Sequence, residues 1–171
     1  MYKRQLLQQA KGKTEILEGA AQQIVKLLKR ETVIYDVKDG KLEHPLRRVP
    51  QGEEDITIED EACEEQAAAW ALENNRHAGT GTDHFKQAKR QYLAIRVNST
   101  VYGVVGIMIQ KQPLDAFENS VLLSILGECA LALENDKNVR EKEEAAILAK
   151  NEQLRANLLR TISHDLSLIH I

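Results

Sequence analysis

Residues 91–110 read QYLAIRVNSTVYGVVGIMIQ. β-Branched and aromatic residues fill both halves, and Asn98-Ser99-Thr100 forms a hairpin-like connection between them. Two strands are expected, at 91–97 and 101–110, paired without an intervening helix. Adjacent strands of this kind indicate an antiparallel α+β sheet rather than a strand–helix alternation.

Upstream, residues 77–89 read as a loop containing Gly79 and Gly81. Before it, residues 61–75 (EACEEQAAAWALENN) are Ala-rich and predict a helix with Cys63, Ala67, Trp70 and Ala71 on one side. Residues 50–60 form an acidic loop in which Ile56 and Ile58 suggest a short extended piece. Residues 31–38 (ETVIYDVK) predict a strand, Asp39-Gly40 a two-residue turn, and residues 41–49 the returning strand. Pro45 confines that second strand to a short or edge position. Residues 6–30 predict a helix with Ile16, Leu17, Ala20, Ile24, Leu27 and Leu28 on its apolar face, weakened at Gly12 and Gly19.

Downstream, Pro113 stands where a helix can open. From Leu114 to Leu166 only Gly127 interrupts a helical pattern of about fifty residues, longer than a globular helix usually runs. Val121, Ile125, Cys129 or Ala130, Leu133, Ile147, Leu154 and Leu158 recur at spacings of three, four and seven, as a dimer seam would. The polar stretch 134–144 interrupts the seam, and its charges suit a solvated face. The expected fold is α+β: an antiparallel sheet flanked by helices, followed by a long C-terminal signalling or dimerisation helix.

At 171 residues, one domain plus an appendage is the natural size. The net charge of −3 gives no basic footprint for nucleic acid or anionic lipid. Charged residues make up 29% of the chain and aromatics 4%, a balance suited to long solvated helices. Cys63 and Cys129 lack a CxxC partner or a histidine at metal spacing, so reduced thiols and no metal site are expected. The apolar run 101–109 falls short of the roughly 20 residues of a membrane span, and the start lacks a signal-peptide pattern. A soluble chain is expected.

Both ends look foreign. Residues 166–171 (LSLIHI) match the translation of a sequencing-library transposon adapter, and residues 1–5 (MYKRQ) match its reverse complement. Residues 1–5 and 167–171 are therefore expected to be adapter-derived, with Leu166 native or not, and the chain an internal piece of a longer gene.

Residues 70–83, WALENNRHAGTGTD, precede the Tyr92-Leu93 strand and the Gly103-Val-Val-Gly106 strand, and residues 160–166, RTISHDL, close the long helix. Together these motifs resemble the KdpD-type sensor histidine kinases that control potassium uptake: a GAF-domain signature followed by a Ser-His-Asp-Leu phosphoacceptor box. The resemblance covers residues 10–166. It departs after Leu166, where the family continues Arg-Thr-Pro-Leu. It implies a GAF-like sensor domain at 6–112, the last GAF helix and a connecting helix at 113–150, and the start of the phosphoacceptor helix at 151–166. It also implies a bacterial inner-membrane protein of which this is a cytoplasmic portion. The expected partners are a second copy through the C-terminal helix, the protein's own kinase domain, which uses ATP and magnesium, and a response regulator.

The chemistry of the box is consistent with that resemblance. A neutral imidazole offers a nucleophilic nitrogen at cellular pH, so His164 can accept a phosphoryl group. Asp165 can take the Nδ1 proton, fix the tautomer and sharpen Nε2. His-Asp alone describes a solvated helix surface more readily, and the full box at the end of a long helix is what favours the phosphoacceptor. No GxxxxGK[ST] loop is present, and Gly79-Thr80-Gly81 precedes a strand, so no nucleotide site or cofactor is expected in this chain. By itself the chain is expected to be catalytically inactive. His77, Gly79, Thr80, Gly81, Thr82 and Asp83 form the candidate ligand or domain contact. The same loop reads more readily as a tight turn in which Asp83 caps backbone amides, and Trp70 as core rather than a ligand platform. The alternatives are a stand-alone GAF module binding a small molecule, with a dimerising helix, and a redox enzyme, which cysteines on separate helices disfavour.

Overall fold

The computed structural model describes residues 2–54, 57–109 and 112–169, with side chains from Gly12 onward. Its elements are α1 (Tyr2–Leu28), β1 (Thr32–Lys38), β2 (Lys41–Arg48), α2 (Glu61–Asn74), β3 (Ala78–Gly79), β4 (Arg90–Val97), β5 (Thr100–Met108) and α3 (Ala116–Ile169). The strands form one five-stranded antiparallel sheet in the order β2-β1-β5-β4-β3. Pro45 lies in β2, an edge strand, where its missing N–H is tolerated. The expected antiparallel α+β fold is observed.

Local chemistry sets the turns and helix ends. Asp39 and Gly40 both take positive φ, 52° and 73°, the conformation a two-residue hairpin turn requires. Asp60 caps α2 by accepting the Cys63 N–H at 3.0 Å. At the start of α3, Glu118 N–H donates to Asp115 Oδ1 (2.7 Å) while Asp115 N–H donates to Glu118 Oε2 (3.1 Å). This reciprocal box starts the helix at Ala116, beyond Pro113.

Two cores cover the two faces of the sheet. On one, Leu17, Ala20, Ala21, Ile24 and Leu28 of α1 and Leu122, Ile125, Leu126, Cys129, Ala130 and Leu133 of α3 pack on Ile34, Leu93, Ile95, Val105 and Ile107. On the other, Ala67, Ala68 and Ala71 of α2 meet Val33, Tyr35, Tyr92 and Val104. Central strands covered on both faces lose strict alternation, as in β5, which is buried from Tyr102 to Met108.

Several sequence expectations are corrected. In α1, Leu27 is exposed at 59% and Ala21 is buried in its place, because the buried positions 17, 20, 21, 24 and 28 hold a narrower helical stripe. In α2, Glu64 and Ala68 are buried with Ala67 and Ala71, while Cys63 and Trp70 sit at the margin. The loop 77–89 contains the short edge strand β3, too brief to show a period. Ile58 has no strand structure, and Ile56 and Gln110 fall outside the described residues.

The chain divides into two compact units, residues 1–134 and 135–171. The expected seam divides with them. Ile125, Cys129, Ala130 and Leu133 belong to the sheet's core, and only Ile147, Leu154 and Leu158 are left exposed. By length and composition α3 also qualifies as a membrane span, with an 18-residue window of mean hydropathy 1.4, which corrects the expectation that nothing does. Its buried leucines and isoleucines face the sheet.

Gly106 faces Tyr92 across the ladder. A Cβ there would lie 2.9 Å from both Tyr92 Cδ1 and Val33 Cγ1, and nearer still to Tyr92 Cε1. Gly106→Ala should therefore destabilise the domain by about 1–3 kcal/mol, as overpacking does. Urea denaturation of Gly106→Ala, Tyr92→Leu and the double variant checks this. The double variant should be more stable than the sum of the two single losses predicts.

Candidate functional site

The loop after β3 is held mostly by its own backbone. Gly79 has φ +96°, and a Cβ there would collide with the Arg90 carbonyl. The Gly79 N–H donates to His84 O (2.8 Å), and Thr80 N–H to Arg90 O (3.1 Å). Thr80 Oγ1 donates to the Ala88 carbonyl. Thr82 Oγ1 lies 2.8 Å from Gly79 O and 2.9 Å from His84 O, and it accepts the His84 N–H at 3.3 Å. Thr82, and not Asp83 as expected, does the capping. Asp83 is exposed, with no hydrogen-bond partner among the described residues.

Beside this loop is a hollow of about 500 Å³, lined by His77, Thr80, Gly81, Gln91, Gln112 and Asn119 and floored by Ile109, Pro113 and Leu114. The structure therefore brings His77, Thr80 and Gly81 together and leaves Gly79, Thr82 and Asp83 out. Gln91, Gln112 and Asn119 are additions that sequence reasoning missed, since they lie on three separate segments. The lining is uncharged apart from His77, whose pKa is drawn below 6.5 by desolvation. Amide, hydroxyl and imidazole groups suit a hydrogen-bonding ligand without net charge. Trp70 stacks on His84, ring centroids 4.1 Å apart, and so braces the loop from α2.

Buried charge also went unanticipated. Glu31, 1% exposed, accepts Arg47 Nε on Oε1 and Arg47 Nη2 on Oε2, each at 2.9 Å, and Arg90 Nε on Oε1 at 3.0 Å. Burial pushes the Glu31 carboxyl up, but hydrogen bonds and charge from Arg47 and Arg90 outweigh it and hold the carboxyl below its usual 4.5. Arg30 donates to Met108 O (3.4 Å) and Gln112 O (3.1 Å) and pairs with Glu118 (3.3 Å), tying the start of β1 to the start of α3. On the other face, Glu64 accepts the Tyr92 hydroxyl (2.6 Å) and the Lys89 N–H (2.5 Å). Burial, then Glu64, raises the Tyr92 phenol. The sequence signal for Glu64 was its place in the helical stripe 64, 67, 68, 71.

His164 and Asp165 are exposed near the end of α3, the histidine side chain at 73%. Their closest approach, Nδ1 to Oδ1, is 4.0 Å, beyond hydrogen-bond reach. An orienting role for Asp165 would need side-chain rotation. Cys129 is buried and its thiol pushed up to about 11. Cys63, on α2, has its pKa raised by burial, Asp60 and Glu64, so neither thiol is activated.

No family model matches the sequence. The sensor protein KdpD of Clostridium acetobutylicum is 31% identical over 160 residues, covering 92% of this chain and 18% of that protein. KdpD of Escherichia coli K12 is 30% identical over 139 residues, 80% of this chain and 14% of that protein. Among solved structures, the native GAF domain of the potassium sensor histidine kinase KdpD from Escherichia coli superposes with TM-score 0.52 at 21% identity, covering 84% of this chain and 97% of that one. A photoproduct-state GAF3 domain from Synechocystis gives 0.51 at 13% identity, covering 75% and 98%. The structural likeness establishes the fold, and the sequence likeness supports a GAF region of KdpD type.

The Glu31 cluster makes a signed prediction. A carboxyl whose pKa is depressed on folding contributes stability above its unfolded value, lost as pH falls through the folded one. Wild-type stability should therefore decline below pH 4.5, the ordinary carboxyl value. Glu31→Gln should cost about 3–5 kcal/mol at neutral pH, because Arg90 loses its buried counter-charge. Urea titrations from pH 3 to 7 should also show a flatter acid limb in the variant.

Proposed function

We propose that this KdpD-type GAF region is the sensory and regulatory part of a longer two-component sensor histidine kinase controlling potassium uptake, with His164 as its phosphoacceptor. The observation that carries this reading is the placement of the box. Residues 160–166 lie exposed on α3, a helix whose earlier residues, Leu122 to Leu133, are built into the GAF core. An exposed imidazole on a stiff helix is open to in-line attack on the γ-phosphate of ATP, with positioning supplying most of the rate.

Further parts of the reading follow from it. ATP and magnesium would be held by a kinase domain outside this chain, and a response regulator would take the phosphoryl group from His164. The exposed Ile147, Leu154 and Leu158 would be covered by the same helix of a second copy, at the seven- and four-residue spacing of a coiled-coil seam. The whole would be the cytoplasmic portion of a bacterial inner-membrane protein. The short share of the KdpD relatives that the chain spans, 18% and 14%, accords with a longer parent protein. Occupation of the hollow beside His77 would reach α3 through Pro113, Leu114 and Asn119, which line it.

The test joins this chain to its kinase domain and supplies labelled ATP with magnesium. Acid-labile, base-stable label should appear in the wild type and fall to background in His164→Gln, while circular dichroism stays unchanged. Undiminished phosphohistidine in the variant would overturn the assignment. Leu154→Asp with Leu158→Asp should convert a dimer to monomer by light scattering and suppress the label.

A further inference from the structure

A second hollow, of about 660 Å³, lies between the last turns of α1 and the end of β2, away from the His77 loop. This is within the size of small-molecule sites, roughly 300–1,000 Å³. Lys26, Lys29 and Arg48 converge on it, against an apolar wall of Val25, Val49 and Pro50. Arg48 shares its charge with Glu18. The side chains of Lys26 and Lys29 have no ion-pair or hydrogen-bond partner among the described residues, so both ammonium groups are available.

The backbone supplies an independent observation. Lys29 closes α1 in the left-handed conformation, φ 52°, its N–H donating to Val25 O at 2.9 Å. Glycine ordinarily takes that position, because a Cβ is disfavoured there. Here a lysine takes that position and sets its side chain on the lining of the hollow, beside Lys26 and Arg48. Lysines near a helix C-terminus also offset its dipole. That accounts for positive charge near the carbonyls, but not for Arg48 arriving from β2 to the same hollow. Glu53 is on the lining as well. It opposes a bare anion and accepts hydrogen bonds from hydroxyl groups.

We propose that this hollow binds a phosphate ester carrying hydroxyl groups, with the phosphate on Lys26, Lys29 and Arg48 and a hydroxyl on Glu53. The carbon skeleton lies on Val25, Val49 and Pro50. Such a group exists as a free sugar phosphate or as the headgroup of a glycerophospholipid, and the test separates the two sources.

The full chain, labelled with nitrogen-15, is titrated with glucose 6-phosphate and with glucose. Saturable shifts confined to residues 22–29 and 48–53 are expected with the phosphate ester and none with the sugar. Lys29→Gly should fold with an equal or higher melting temperature, since glycine suits φ 52°, and should bind about tenfold more weakly, as should Lys26→Gln. Sedimentation with phosphatidylglycerol vesicles identifies the source. Pelleting of wild type but not of Lys29→Gly assigns the site to a lipid headgroup, and no pelleting assigns it to a free ester. Absence of both saturable shifts and Lys29-dependent pelleting overturns the proposal. So does equal glucose 6-phosphate affinity in wild type and both variants.

Discussion

The Tyr92 side chain is the constraint on which the domain depends. Its ring is fully buried over Gly106, the residue opposite it on β5, and its hydroxyl is held by Glu64 from α2. One residue thus fixes strand to strand and sheet to helix. The ring occupies the volume a larger residue at position 106 would need. The alanines at 67, 68 and 71 complete the fit by letting α2 approach the sheet closely. The carboxylate of Glu64 is satisfied by the Tyr92 hydroxyl and the Lys89 N–H, as a buried polar group must be. The Tyr-Leu and Gly-Val-Val-Gly motifs are therefore two halves of one packing arrangement.

At one end of the sheet, charge performs a comparable task. Glu31 gathers Arg47 from β2 and Arg90 from β4, and Arg30 reaches the carbonyls of Met108 and Gln112 and the side chain of Glu118. The junction from β5 into α3 is thereby pinned by Arg30, two residues before β1. Under the proposed sensory role, this junction would carry a displacement of the sheet into the helix, because tight packing leaves few alternatives. The hollow beside His77 borders the same junction through Pro113, Leu114 and Asn119. Its polar lining and the Arg30 clamp are built on the same short connection.

Helix α3 changes its use along its length. Up to Leu133 one face, Leu122, Ile125, Leu126, Cys129, Ala130 and Leu133, completes the sheet's core, and from residue 141 onward every described residue is exposed. Its later part carries i,i+4 ion pairs, Arg140 with Asp136 and Lys137 with Glu141, which support an isolated helix only weakly. A seven-residue repeat read from the sequence runs through both parts because core packing and coiled-coil packing demand the same spacing. Hydropathy alone likewise cannot separate a core helix from a membrane span, and the buried face of Leu122, Ile125, Leu126 and Leu133 is what distinguishes them.

The sequence alone determined the order of the elements other than β3, the antiparallel pairing around residues 91–110, the turn at Asp39-Gly40 and the length of the last helix. Each of these is local: backbone φ preferences, side-chain periodicity and capping are written within a few residues of where they act. The tertiary structure decided the rest. Glu31 meets Arg90 across 59 positions, and the Glu64 carboxylate meets Tyr92 across 28. No period announces such pairs, because their partners are set by sheet order. Gly79 could be read as a tight turn, but only the carbonyl of Arg90 behind it shows why no other residue fits. The six loop residues from His77 to Asp83 could be grouped by proximity in the chain, whereas Gln91, Gln112 and Asn119 join three of them only because the β-sheet edge and the start of α3 converge.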